Sequence, residues 1–452
     1  MTDKESEMNF LSCMSELAQV NDPIDPELYV KHDVKRGLRN ANGTGVLVGL
    51  TRIGDVVGYE MKNGEKIAIP GRLVYRGYDV ESLVKDSEAN SMFGFEQAVY
   101  LLLFGELPRK DDLAEFTKYL GKKRILPEHF TEDMIMKAPS SDIMNKLSRG
   151  VLASYSYDEN PEDRSIPNIL RQCLELIARF PTIVAYGYQA KRRYYDGKSM
   201  YIHNPDEKLS TAENFLRLIR SDKQYTPLEA QVLDLALILH AEHGGGNNSS
   251  LTVHVVSSAD TDTYSAIAAG VGSLKGRRHG GANIRVMEMM SEIKQAVKDW
   301  ENEDEIAAYL RKIVNKEAFD HTGLIYGMGH AVYTISDPRC ILLKNKAAQL
   351  AKEKGMEKEF NFYRTIEKIA PKVLYEKIGA KKQICANVDF YSGFVYTMLN
   401  IPSELYTPIF AIARVAGWSA HRVEEVVAGG RIYRPAYKNV SPEREYVPIN
   451  NR

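Results

Sequence analysis

Phe95–Phe104 reads FEQAVYLLLF, and only Glu96 and Gln97 in it are polar. A run apolar on most faces suits a helix packed inside other helices. Gly105 closes it and Pro108 follows, the usual way for a helix to stop. Residues 111–120 then read as an amphipathic partner. Outward toward the C-terminus the helical period persists. Ile169, Leu170, Cys173, Leu176 and Ile177 share one face of a helix over 166–180, with Pro181 expected to end it. Further helices are expected at 211–221, 227–241, 264–274, 282–300, 303–315, 339–354, 360–377, 391–400, 402–416 and 419–428. Toward the N-terminus the character changes. Val46, Val48 and Leu50 alternate with smaller or polar neighbours, 66–69 and 73–75 look extended, and Asn63-Gly64 is a hairpin signal. Residues 1–40 are polar, with Asp-Pro at 22–23 and 25–26, and read as an arm or short helix. No βαβ alternation appears, which argues against a doubly wound sheet. The fold class is mainly α, with a small N-terminal β element.

Composition narrows the function classes. At 452 residues the chain is long enough for two domains. Its 59 basic and 60 acidic side chains leave a net charge of −1, without the basic excess that a nucleic-acid binder needs. Cys13, Cys173, Cys340 and Cys385 are scattered, with no CxxC pair, as in a reducing compartment. No apolar run approaches the ~20 residues of a membrane span. The opening MTDKESEMNF carries acidic residues and no arginine, unlike a secretory signal or a mitochondrial presequence. The expected location is the cytoplasm, with no membrane and no nucleic acid as partner.

Four constellations carry chemistry. HAEHGGGNN at 240–248 ends a helix with His240 and His243 three apart on one face. Two such histidines suit a metal site or the stabilisation of a helix C-terminus, and the zinc-hydrolase spacing of four is absent. LKGRRHGGAN at 274–283 sets His279 at the start of a long helix, whose unpaired N–H groups favour a neutral imidazole. Such a ring donates one hydrogen bond to an oxygen gathering negative charge. Arg277 and Arg278 beside it suit phosphates or plain solvation. LIYGMGHAVYTISDPR at 324–339 puts His330 after a glycine-flanked turn, with Arg339 nine residues on. ANVDFYSG at 386–393 sets Asp389 at the mouth of a helix, as an N-cap or as a base made more basic by burial. Arg414 lies on an apolar helix, FAIARVAGW, and needs an anionic partner, either a buried carboxylate or an acidic substrate. With Arg339 and Arg434 it could clamp a small polycarboxylate.

Taken in order, HAEHGGGN, RRHGGAN, GMGHAVYTISDPR, NVDFYSG, FAIAR and RIYRP resemble the citrate synthase family, together with GELP at 105–108 and RFPTIVA at 179–185. The resemblance implies a large helical domain and a smaller helical one that closes over the active site. The large domain would comprise 1–280, with 1–44 as an N-terminal arm, and 401–452; the small domain would be 281–400. It implies Asp389 as the base that deprotonates the methyl group of acetyl-CoA, His279 as donor to the thioester oxygen, and His330 as donor to the ketone of oxaloacetate. His243, Arg339, Arg414 and, across a homodimer interface, Arg434 would grip oxaloacetate. The product would be citrate, with CoA released, and no metal or other cofactor is called for. Many relatives carry a basic residue for the CoA phosphates where Thr334 stands, so Arg278, Lys381 and Lys382 are the candidates here for that contact. The same motifs serve 2-methylcitrate synthase with propionyl-CoA. A metallohydrolase built on His240 and His243, or a non-catalytic paralogue, are the readings from other classes.

Overall fold

The computed structural model describes residues 3–63, 65–379 and 383–452. The chain divides into two units, Met1–Leu50 and Thr51–Arg452. The first holds α1 (Asp3–Asn21) and α2 (Pro26–Lys31). In α2 the second Asp-Pro pair is a cap: the Asp25 carboxylate accepts from Glu27 N at 2.9 Å, and Pro26 takes the first helical position, where no N–H is needed. The alternation over 46–50 forms no strand, and Leu47 and Leu50 are exposed. Period-2 patterning needs a partner strand, and none is present there among the described residues.

The second unit begins with the antiparallel sheet β1 (Gly54–Lys62), β2 (Glu65–Tyr75) and β3 (Tyr78–Asp79), in that order. Lys62 pairs with Glu65, so β1 and β2 form a hairpin there, and Asn63 takes φ +52°. Gly64 itself lies outside the described residues. The helices that follow are α3 (Val80–Ala89), α4 (Phe95–Phe104), α5 (Lys110–Lys123), α6 (Ile143–Ser154), α7 (Ile166–Tyr194) and α8 (Thr211–Ile219). Then come α9 (Pro227–His240), α10 (Asn248–Ser257), α11 (Thr263–Lys275), α12 (Ala282–Ala296), α13 (Glu303–Val314) and α14 (Pro338–Lys354). The last three are α15 (Glu357–Ile378), α16 (Asp389–Met398) and α17 (Tyr406–Ala428). None of the described helices is long and apolar enough to cross a membrane.

The mainly α fold with one small sheet is as the pattern predicts, and α4 is buried as its composition requires. The helix expected over 282–300 ends at Ala296, where Val297 turns extended, and two other expected ends are overridden. Pro181 does not stop α7, which runs on to Tyr194. An interior proline costs about 3 kcal/mol. Phe180, Ile183 and Val184 are each 0 % exposed, and burying side chains of that size returns roughly 1.5–3 kcal/mol apiece. Packing therefore outweighs the break. Likewise 402–416 and 419–428 are one helix, α17, through Gly417 and Trp418. It packs against α4, α7, α9, α10 and α11, and Arg414, Trp418, His421 and Arg422 are all fully buried within it. The patterning did not mark α3, α6 or α10 as helices.

Candidate active site

The site is assembled from the end of α9, the loop before α12, the loop before α14 and the start of α16. Residues 327–330 lie alongside 385–387: Gly329 N donates to Cys385 O at 2.7 Å, Asn387 N to Gly327 O at 2.9 Å, and Asn387 Nδ2 to Gly329 O at 2.8 Å. This pairing brings the His330 loop beside the Asp389 helix. Gly327 and Gly329 take φ +80° and +87°, and a Cβ on Gly327 would come within 3.0 Å of Phe390 Cα. The other side of the loop rests on the sheet. A Cβ on Gly71 would lie 2.2 Å from Ser336 O, and one on Gly58 2.5 Å from Val332 O.

His330 is held in one tautomer. Its Nδ1 accepts from the backbone N–H of Val332 and of Tyr333, each at 3.1 Å. A ring nitrogen that accepts carries no proton, so the neutral ring has its proton on Nε2. The ring stacks on Tyr333 at 4.7 Å and stands edge-on to His243 at 5.2 Å. Burial, followed by the nearby Arg339, drives the His243 pKa far down, and its Nε2 is buried without a hydrogen-bond partner among the described residues.

His279 is also a neutral ring. Burial first, and the Arg414 guanidinium second, bring its pKa down to about 4. Its Nε2 lies 3.1 Å from Ser249 Oγ, which also accepts from Trp418 Nε1 at 3.1 Å and lies 2.9 Å from Asn247 Oδ1. That hydroxyl has one proton to give. Turned to Asn247, it leaves the His279 proton on Nε2; turned to Nε2, it puts the imidazole proton on Nδ1. Neither Asn247 nor Ser249 stood out in the sequence as a partner of His279.

Asp389 is the first residue of α16 rather than its cap, and its N–H donates to Asn387 Oδ1 at 3.0 Å. Burial raises its carboxyl pKa from 3.8 to about 6, while Arg339 and Arg414 pull it down. Asp337 does the capping nearby. Its Oδ1 accepts from Arg339 N at 3.0 Å and from Arg339 Nε at 3.1 Å, and its Oδ2 from Arg339 Nη2 at 2.8 Å and Val388 N at 3.2 Å. One buried carboxylate thus ties α14 to α16 and fixes the Arg339 fork. The Asp-Pro pair at 337–338, a capping residue before a first-position proline, was the signal for it.

Arg414 is fully buried, and burial lowers its pKa to about 10. Its Nε donates to His240 O at 2.7 Å, while Nη1 and Nη2 have no hydrogen-bond partner among the described residues. A guanidinium buried with two free N–H-bearing atoms is a waiting anion site, because an unmet charge of this kind is costly. His243, His330, His279, Arg339, Arg414 and Asp389 therefore form one polar cluster. Arg278 and Arg434 do not join it: both are exposed, and among the described residues no hydrogen bond of the cluster includes them. Lys381 and Lys382 lie outside the described residues. Thr334 Oγ1 is buried and has no hydrogen-bond partner among the described residues.

The arrangement offers a desolvated carboxylate, three neutral imidazoles and two buried guanidiniums. The family model described as "Citrate synthase, C-terminal domain" matches residues 40–436. The citrate synthase of Synechocystis sp. is 34% identical over 386 residues, 84% of this chain and 88% of that protein. The 2-methylcitrate synthase of Shewanella oneidensis is 33% identical over 391 residues, covering 84% and 92%. Among solved structures, the citrate synthase of Thermoplasma acidophilum, in ternary complex with carboxymethyl coenzyme A and oxaloacetate, is 27% identical. It aligns with a TM-score of 0.73 over 93% of this chain and 99% of that one.

Proposed function

The chain belongs to the citrate synthase family, and from that premise we propose that it condenses acetyl-CoA with oxaloacetate and water to give citrate and CoA. The observation that carries this reading is the set of buried nitrogens without partners among the described residues, Arg414 Nη1 and Nη2 and His243 Nε2, gathered beside a desolvated carboxylate. Oxaloacetate supplies the two carboxylates and the ketone that such a set would hold. A relative solved with oxaloacetate and a coenzyme A analogue has the same fold.

In this reading Asp389 takes a proton from the acetyl methyl group. His279 donates from Nδ1 to the thioester oxygen as the enol forms, with the Ser249 proton turned to Nε2. The enol carbon attacks the ketone carbon of oxaloacetate, and His330 Nε2–H meets the oxygen that becomes the hydroxyl. Water then cleaves the thioester of citryl-CoA. Hydrogen-bond donors fixed in a dry site stabilise the charge as it develops. Arg339 and Arg414 hold the carboxylates, joined by the partner subunit's Arg434 in a homodimer. Residues 281–400 form the smaller domain that closes, shielding the enol from water. Arg278, Lys381 and Lys382 are the candidates for the CoA phosphates. The cytoplasm is the proposed location, on its four free thiols.

Propionyl-CoA is the rival substrate, and the Shewanella oneidensis relative is its named example. One methylene is worth only ~1–3 kcal/mol of discrimination. The test is a panel of acyl-CoA thioesters with oxaloacetate, after chelator treatment, following thiol release. Acetyl-CoA should give the highest kcat/KM. A clear propionyl preference assigns the chain to the methylcitrate reaction, and no turnover in folded protein refutes both.

A further inference from the structure

Behind the cluster lies a second group of buried ionisable side chains that the reaction does not use. Glu242 and His421 are both fully buried, and His421 Nε2 is 3.0 Å from Glu242 Oε1. His421 Nδ1 is 3.0 Å from His254 Nε2 and 3.7 Å from Glu424 Oε2. His254 Nδ1 is 2.8 Å from Glu425 Oε2. The hydrogen-bond directions follow from the acceptors. Against the Glu425 carboxylate His254 must donate from Nδ1, so its Nε2 accepts, and the donor to it is His421 Nδ1–H. His421 also faces a carboxylate through Nε2. Both of its nitrogens therefore carry protons, and the ring is a buried cation.

The fold makes room for Glu242 in particular. A Cβ on Gly417 would sit 2.3 Å from its Oε2, and one on Gly54 2.7 Å from its Cγ. Its backbone is pinned too: Glu242 N donates to Tyr75 Oη at 3.2 Å, and Ala241 O accepts from Gly417 N at 3.1 Å. Among the described residues Glu242 Oε2 has no hydrogen-bond partner, and neither do Nη1 and Nη2 of Arg414, the other cation whose field Glu242 feels. The carboxylate thus has two cations to choose between, one of them the guanidinium assigned above to substrate.

We propose that His421 is a positioning residue, whose charge holds Glu242 in the Gly54–Gly417 cradle and so keeps Arg414 free for a substrate carboxylate. This rests on the reading of Arg414 as an oxaloacetate ligand. Without the imidazolium, the carboxylate turns to Arg414 and competes with substrate for it. The loop that carries His243 shifts with it, since His243 is the next residue.

The test is a pair of variants. H421Q keeps a donor of similar size and removes the charge; it should raise the KM for oxaloacetate on the order of tenfold, with kcat changed far less. E242Q/H421Q removes the competing carboxylate as well and should recover most of that loss. A merely structural pair predicts the reverse, a double variant no better than the single. Arg422→Gln serves as a control for lost stability. It removes another buried α17 cation, which donates to Ser257 O at 3.4 Å and to Thr261 O, and should leave the oxaloacetate KM near that of wild type. A crystal structure of H421Q gives a readout independent of turnover: Glu242 should lie within hydrogen-bond distance of Arg414 Nη1 or Nη2. A carboxylate still in its cradle overturns the proposal, whatever the substrate proves to be. Should H421Q fail to fold, wild-type protein labelled with 15N-histidine answers alone. Both His421 nitrogens should be protonated at neutral pH, and a neutral ring, or a stoichiometric metal bound by His254 and His421, refutes the assignment.

Discussion

Replacing Asp389 by Asn should stabilise the protein while removing its activity. The raised pKa, from 3.8 to about 6, means that the folded state penalises the charged form, chiefly by desolvation and despite Arg339 and Arg414. That rise corresponds to about 3 kcal/mol. The sign follows from linkage. A carboxyl with a raised folded pKa costs nothing below about pH 3.8, costs more as pH climbs toward 6, and costs the full amount above that. Asn keeps the volume and carries no charge, so at pH 7 to 8 the variant should gain up to about 3 kcal/mol. Unfolding entropies of ~2.1 cal/mol/K per residue over a chain of this length give about 1 °C per kcal/mol, hence a Tm rise of up to about 3 °C. The gain should shrink as pH is lowered from 7 toward 4. Turnover should fall by ~10²–10⁴, the usual contribution of a general base, with oxaloacetate affinity nearly unchanged. Wild-type kcat/KM should rise with pH through about 6. Scanning calorimetry across pH, thiol-release kinetics and oxaloacetate titration measure all of this. A variant less stable than wild type at pH 7 would refute the desolvation argument, and one with near-normal turnover would refute the base.

Arg339→Lys replaces a planar fork with a point charge and leaves the Asp337 carboxylate partly unmatched. Charge-assisted bonds are worth roughly 1.5–3 kcal/mol, so the oxaloacetate KM should rise about tenfold or more, with a smaller change in kcat. Lost turnover at unchanged affinity would contradict the clamp. Gly71→Ala drives a methyl group against Ser336 O and the Tyr333 ring, at 2.2 and 2.5 Å. Overpacking of this kind costs about 1–3 kcal/mol. It should lower Tm and raise the oxaloacetate KM together, because the displaced loop carries His330; an unchanged KM would show that the loop does not depend on the sheet.

What could be read from the chain differed by kind of information. Helical periodicity and the short motifs are local, and local signals located α4 and α9 and singled out His279, His330 and Asp389 as candidates. Pro181 misled for the same reason: a breaker is a local signal, and the burial that overrides it comes from other segments, such as α6, where a Cβ on Gly150 would meet Ile183 at 2.9 Å, and Arg124, whose carbonyl accepts from Thr182. The partners of the site residues are non-local too. Ser249 meets His279 across thirty positions, and Asp337 reaches Val388 across fifty-one.

The sequence by itself therefore determined the fold class, the family resemblance and which side chains were candidates for chemistry. Tertiary structure alone decided their state. Which nitrogen of His330 carries the proton is set by two backbone N–H groups, how far the Asp389 pKa rises by what buries it, and how far the Arg414 pKa falls by its burial within α17. Each is a matter of distances and desolvation between segments far apart in the chain. A linear order of residues states which groups are present, and only the folded packing fixes the field each of them feels.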